Sequence, residues 1–226
     1  HPCWPSMVWQ TYDYYLEPTA AYYGVKHACE PLHVQWNPLT NQVEVINHSA
    51  GHQIGKVTAT IYSIDGILLW SKEMPYDLQE DHTFEAMTVE VPHEIEGVYF
   101  LRLSLTDTEG DLMSQNDYIQ SHGTNDRKQL RTMPESALSS TVNVKDSHAL
   151  ITLTNCSSTP AVMLRLNLKG SDGEQILPVI YSDNYLHLMP GESRTIDIEW
   201  KAEDTRGTVP MIEITGTNVT KKTVRL

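Results

Sequence analysis

Side chains able to do chemistry are plentiful in this sequence, but few are spaced to do it. The ten histidines are scattered. None forms an HExxH or an i, i+4 pair beside a carboxylate, the spacing that turns two imidazoles toward one zinc ion. No GxSxG elbow, GxGxxG turn or P-loop is present, so neither a nucleophilic serine nor a phosphate cradle is expected. Carboxylates sit close together at Glu80-Asp81 and at Glu94 with Glu96. An acid–base pair, however, needs a cleft that pushes its two pKa values apart, and the surrounding pattern puts these groups on loops or a solvated strand face. The sequence therefore predicts no catalytic residue, no metal site and no cofactor in this chain.

Other groups carry two readings each. Cys3, Cys29 and Cys156 are three in number, so they cannot all pair, and no CxxC spacing occurs; free thiols are expected. Asn47-His-Ser, Asn155-Cys-Ser and Asn218-Val-Thr are glycosylation triplets, which matter only in a secreted chain of a glycosylating cell. Trp70 and Trp200 fall in alternating segments, where core packing competes with a role as a sugar-stacking platform, since an aromatic face matches the C–H face of a pyranose. Trp4 stands before Pro5 at the mouth of a helical stretch, a position that often lines a site.

Composition limits the partners. A net charge of −13 argues against nucleic acid and anionic membranes, both of which need clustered Lys and Arg. No apolar run approaches the roughly 18 to 20 residues of a membrane span, and no signal peptide is visible. The start at His1 reads as a processed or excised end.

The elements follow from periodicity. Residues 4–29 are crowded with tyrosines and tryptophans and read as helical. Pro18 divides them into a helix ending near Leu16 and a second over residues 18–29, with Ala21, Val25, Ala28 and Cys29 on one face. Residues 30–123 switch to period two, as at Val43 and Val45, at Val57, Ala59 and Ile61, and at Tyr99, Leu101, Leu103 and Leu105. Asp65-Gly66 between apolar runs predicts a two-residue hairpin. Turn signals recur about every 10 residues, the rhythm of an immunoglobulin-like sandwich. Residues 124–136 are polar and aperiodic, a linker. Residues 137–226 resume alternation at Leu164, Leu166 and Leu168 and predict a second sandwich.

The opening stretch, "WPSMVWQTYDYYLEPTAAYYGVKHACEPLHVQW", resembles the end of the catalytic barrel in glycoside hydrolase family 2, in its β-mannosidase and exo-β-D-glucosaminidase branch. Trp4, Pro5, Ser6, Asp13, Tyr14, Tyr15, Tyr23, Gly24, Lys26, Ala28, Glu30, Pro31, Leu32, His33 and Gln35 fit that pattern. Three later segments fit in order: "VTATIYSIDG" (57–66), "FLRLSLTDTEGDLMSQNDYI" (100–119) and "YSDNYLHLMPGESRTI" (181–196).

The resemblance implies a mostly-β chain: residues 1–29 left from the end of a (β/α)8 barrel, then two immunoglobulin-like sandwiches as bounded above. The parent would be a retaining glycosidase with two glutamates roughly 5 Å apart, both upstream of His1, removing terminal β-linked mannose or glucosamine. The fragment itself would be non-catalytic, its partner the missing barrel and its glycan reached only through the parent. Trp4, at the carboxyl lip of that barrel, would line the sugar pocket, although residues 1–3 depart from the branch's asparagine-containing stretch. A bacterial parent would be secreted or periplasmic. Without the barrel, the aromatic segment is expected to pack partly on the first sandwich and otherwise to be exposed or dimerised, with Trp9, Tyr12 and Tyr22 not all buried. Two other readings stay open: a carbohydrate-binding module and a two-domain adhesion or receptor ectodomain.

Overall fold

The computed structural model describes residues 11–123 and 126–226. They form one α-helix, α1 (Ala20–Ala28), and a set of antiparallel strands, and none of the described helices is long and apolar enough to cross a membrane. Two compact units result: residues 25–130, and residues 131–226 together with the opening segment up to Gly24.

The first unit holds β1 (Leu32–Asn37), β2 (Gln42–Asn47), β3 (Gln53–Ser63), β4 (Leu68–Leu78), β5 (His82–Thr88), β6 (Val98–Thr106) and β7 (Leu112–Ser121). They build two sheets, β1-β2-β5 and β4-β3-β6-β7. Strand side chains alternate between faces, so Val34, Val43 and Val45 of one sheet meet Val57, Ala59, Ile61, Leu101, Leu103 and Leu105 of the other in a single core. β1 and β7 also bond across the sheets: Trp36 N donates to Tyr118 Oη at 3.0 Å, and their rings meet edge to face. Trp70 packs against this core. Glu80, Asp81, Glu94 and Glu96 are exposed.

The hairpin around Asp65-Gly66 is one residue longer than the expected two-residue turn. Ser63 N donates to Ile67 O and Gly66 N to Ser63 O, with Gly66 alone at positive φ (83°). This is a type I turn closed by a left-handed glycine, which needs one positive φ where a type I′ turn needs two. Asp172-Gly173 repeats it: Gly170 N donates to Glu174 O, Gly173 N to Gly170 O, and Gly173 has φ 87°.

A 3-10 helix (Asp126–Thr132) follows β7, and Gln129 Oε1 within it accepts from Val98 N at 2.9 Å. The second unit then contains β8 (Leu138–Lys145), β9 (His148–Asn155), β10 (Ala161–Gly170), β11 (Val179–Tyr181), β12 (Leu186–Leu188), β13 (Ser193–Trp200), β14 (Pro210–Gly216) and β15 (Val219–Arg225). Its sheets are β12-β10-β14-β15 and β11-β13-β9-β8. Leu164, Leu166 and Leu168 face Ile151, Leu153, Ile196 and Ile198 in the core between them, and Trp200 is buried there. Both strand tryptophans are thus packing residues rather than platforms.

The opening segment differs from expectation in two ways. Over residues 11–19 it is a closed loop rather than a helix. Tyr12 and Pro18 form an antiparallel bridge, Thr19 N donates to Thr11 O, and Asp13 Oδ1 accepts from Tyr15 N and Glu17 N. An aspartate that caps its own following amides competes with helical bonding, Leu16 at φ 68° breaks it, and α1 begins only after Pro18. Secondly, Tyr23 of α1 is buried in the core of the second sandwich, whereas the end of α1 meets the first as expected, with His27 Nδ1 3.4 Å from Gln115 O of β7. Tyr12 and Tyr22 are exposed; Trp9 lies outside the described residues.

A cleft between the opening loop and the second sandwich

A concavity of the second unit lies where the loop of residues 11–19 meets β10 and the turn after it. It has a volume of about 710 Å³, lined by Tyr15 and Leu16 of the loop, Arg165, Asn167 and Lys169 of β10, Gln175, and Arg206. Strand alternation sets the β10 side. Leu164, Leu166 and Leu168 point into the core, so Arg165, Asn167 and Lys169 must point out.

Charge pairing fastens the loop to this face. The Glu17 carboxylate takes the Arg165 guanidinium on Oε1 and Gln175 Nε2 on Oε2, the latter at 2.6 Å. Gln175 Nε2 also reaches Asn167 Oδ1 at 3.1 Å. Burial works against the charge on Arg165, but Glu17 beside it outweighs that effect and holds the guanidinium above its ordinary pKa. Tyr23, Tyr181 and Tyr185 pack behind the pair. The ring centroids of Tyr23 and Tyr185 are 5.9 Å apart, and burial raises all three phenol pKa values. Tyr181 Oη accepts from Leu168 N at 2.8 Å, locking β10 from beneath. Lys169 pairs with Glu213 at 2.9 Å, and Glu213 also takes Lys221 at 2.8 Å.

The rim of the cleft is apolar and aromatic. Tyr14, Tyr15 and Leu16 are 45%, 59% and 54% exposed, and the two tyrosine rings touch edge to face at 5.1 Å. Single exposed apolar residues are ordinary, whereas three in a row on a loop fastened by half-buried polar contacts make a contact surface. Two carboxylates stand at the cleft: Glu17 is engaged by two donors, and Glu174 of the lining is exposed to solvent, so neither has the enclosed setting of an acid–base pair. Trp4, whose substrate-lining role the family resemblance implies, lies outside the described residues. Glu17, Arg165 and Gln175 were not foreseen, and no local pattern could have marked them, because they are far apart in the chain.

Known proteins agree with this architecture. Residues 116–219 match the family described as the exo-beta-D-glucosaminidase Ig-fold domain. The exo-β-D-glucosaminidase of Streptomyces avermitilis is 31% identical over 98% of this chain, and that of Hypocrea jecorina 30% over 99%. The chain corresponds to the C-terminal immunoglobulin-like region of exo-β-D-glucosaminidases. It spans only 28% of the length of either relative. The chain also superposes on the exo-chitosanase of Amycolatopsis orientalis with a TM-score of 0.86 at 27% identity, over 99% of this chain and 30% of that one. The β-D-mannosidase of Dictyoglomus thermophilum shares the fold, with a TM-score of 0.69 at 18% identity over 96% of this chain and 25% of that one.

Proposed function

We propose that this region is the non-catalytic brace of a glycosidase that removes terminal β-linked glucosamine, and that its tyrosine-rimmed cleft receives the catalytic barrel of the same polypeptide. One observation carries the reading: similarity runs along nearly the whole chain but covers under a third of each relative. The rim fits such a role. Tyr14, Tyr15 and Leu16 expose apolar surface while Glu17, one residue on, is tied to Arg165 and Gln175, so the loop is held in place before anything covers it. Glucosamine is favoured over mannose because relatives of 31%, 30% and 29% identity bear the exo-β-D-glucosaminidase name. Trp4 would line the barrel's sugar pocket.

Hydrolysis of p-nitrophenyl β-D-glucosaminide tests this. The chain alone is expected to be inert, and the chain joined to its upstream barrel to turn over. In the joined protein, Tyr15→Ser with Leu16→Ser should lower thermal stability while the isolated chain is unchanged. Turnover by the isolated chain would end the reading.

A carbohydrate-binding role is the second reading, favoured by Tyr15 standing beside Asn167 and Gln175 at an open cleft. Calorimetric titration with glucosamine oligosaccharides separates the two, since a brace binds none.

A further inference from the structure

We propose that the outer face of the β11-β13-β9-β8 sheet carries a divalent transition-metal site formed by His148, Asp197 and Glu199. The sheet register brings the three together. Glu199 of β13 lies directly opposite His148 of β9, and Asp197, two residues earlier, shares their face because side chains repeat every second residue. One ligand atom from each lies within 4.8 Å of the other two. No sequence motif announces the site, since its ligands come from strands about 50 residues apart rather than from one helix.

The atoms between His148 and Asp197 supply a second observation. His148 Nε2 stands 2.6 Å from Asp197 Oδ1. That oxygen is shielded from solvent and accepts no hydrogen bond among the described residues, and the imidazole beside it is a positive partner only when protonated. A cation held by both groups would give Oδ1 a positive partner with the imidazole neutral, the pair opening from 2.6 Å to the roughly 3 Å or more that two ligands about 2 Å from one ion require. Asp197 is held in place for this by its backbone, whose N–H donates to Ser182 Oγ at 2.9 Å.

The donor set fixes the class of metal. One imidazole and two carboxylates suit zinc and its first-row neighbours, whereas magnesium and calcium prefer oxygen alone. Both His148 and Asp197 are about two-fifths exposed, 40% and 42%, which leaves an entry path and room for water at the remaining positions. Lys145 of β8 pairs in register with His148 on the other side. It is exposed, and its ammonium can swing into solvent when the cation enters.

The test uses the full chain, stripped with chelator and titrated calorimetrically with ZnCl2. One equivalent should bind saturably, and His148→Ala, Asp197→Asn and Glu199→Gln should each weaken binding by about tenfold or more. These side chains lie on the outer face, so each variant should keep its metal-free unfolding midpoint. Cobalt(II) added to the unaltered chain should give visible d–d absorption, a readout needing no variant. Absence of saturable zinc binding would overturn the proposal, as would no cobalt spectrum, an equal response to magnesium, or affinity unchanged in all three variants, which would place the metal on other histidines.

Discussion

Asn47 and Asn155 make the same hydrogen bonds at the same place in the two sandwiches. Each ends its strand, β2 or β9, and each is fully buried. Each accepts on Oδ1 from the amide two residues on, Ser49 N or Ser157 N, at 3.0 Å. Each donates from Nδ2 to the carbonyl four residues on, Gly51 O at 2.9 Å or Thr159 O at 2.8 Å. Each also reaches across to the end of another strand, Leu78 O or Leu188 O. The serine of the triplet closes the turn, so Asn-x-Ser here is a structural corner.

Removing such a corner leaves buried carbonyls without donors. Asn155→Ala should therefore destabilise the chain by about 1–3 kcal/mol, read as a lower urea midpoint with little change in slope. The amide nitrogens are also unavailable for a glycan. Asn218 is engaged likewise, with Nδ2 donating to Pro134 O and Pro160 O. Folded material from a glycosylating host should carry none at Asn47, Asn155 or Asn218, which peptide mass spectrometry checks.

Tyrosines of the opening segment should divide sharply. Tyr23 is 3% exposed within the second core, so Tyr23→Ala should cost about 3–5 kcal/mol. Tyr15 projects from the rim, and Tyr15→Ala should stay within about 0.5 kcal/mol. Thermal or urea unfolding of the two variants gives the comparison.

The Glu17–Arg165 pair fastens a loop rather than a domain. Each partner keeps a fifth to a third of its side chain in water (20% and 30%), so solvent screening limits its contribution to no more than roughly 1 kcal/mol. Glu17→Gln should barely move the global midpoint yet speed proteolytic cleavage within residues 11–19. An unchanged cleavage rate would show that the pair does not hold the loop.

Glu213 gives a pH dependence of known sign. Hydrogen bonds from Lys221 and then Lys169 lower its pKa below the usual carboxylate value, about 4.3 in an unfolded chain. The folded state thus releases this proton more readily than the unfolded one. Its contribution is complete above that unfolded value and is lost as pH falls through the depressed folded one. Glu213→Gln should flatten the fall in stability below roughly pH 4.3, seen in urea midpoints measured across acid pH.

Much of the fold was legible locally. Alternation at Val43 and Val45 or at Leu164, Leu166 and Leu168 identified buried strand faces because a strand repeats every two residues. Asp65-Gly66 marked a turn because glycine reaches positive φ without strain, although the loop length depended on the register of β3 with β4. Over residues 11–16 the expected helix gives way to a loop, since Asp13 capping its own downstream amides has no period to detect.

What the sequence determined by itself was the class of structure: strand-rich, turn-punctuated and without a catalytic motif, all properties of residues near one another in the chain. Tertiary structure alone decided where the aromatic opening goes. Tyr23 and Glu17 find their partners among Tyr185, Arg165 and Gln175, roughly 150 residues away. It likewise placed His148 beside Asp197 and turned three glycosylation triplets inward. Such meetings depend on which strands pair and in what register, and a strand's own residues hold no record of what lies across the sheet.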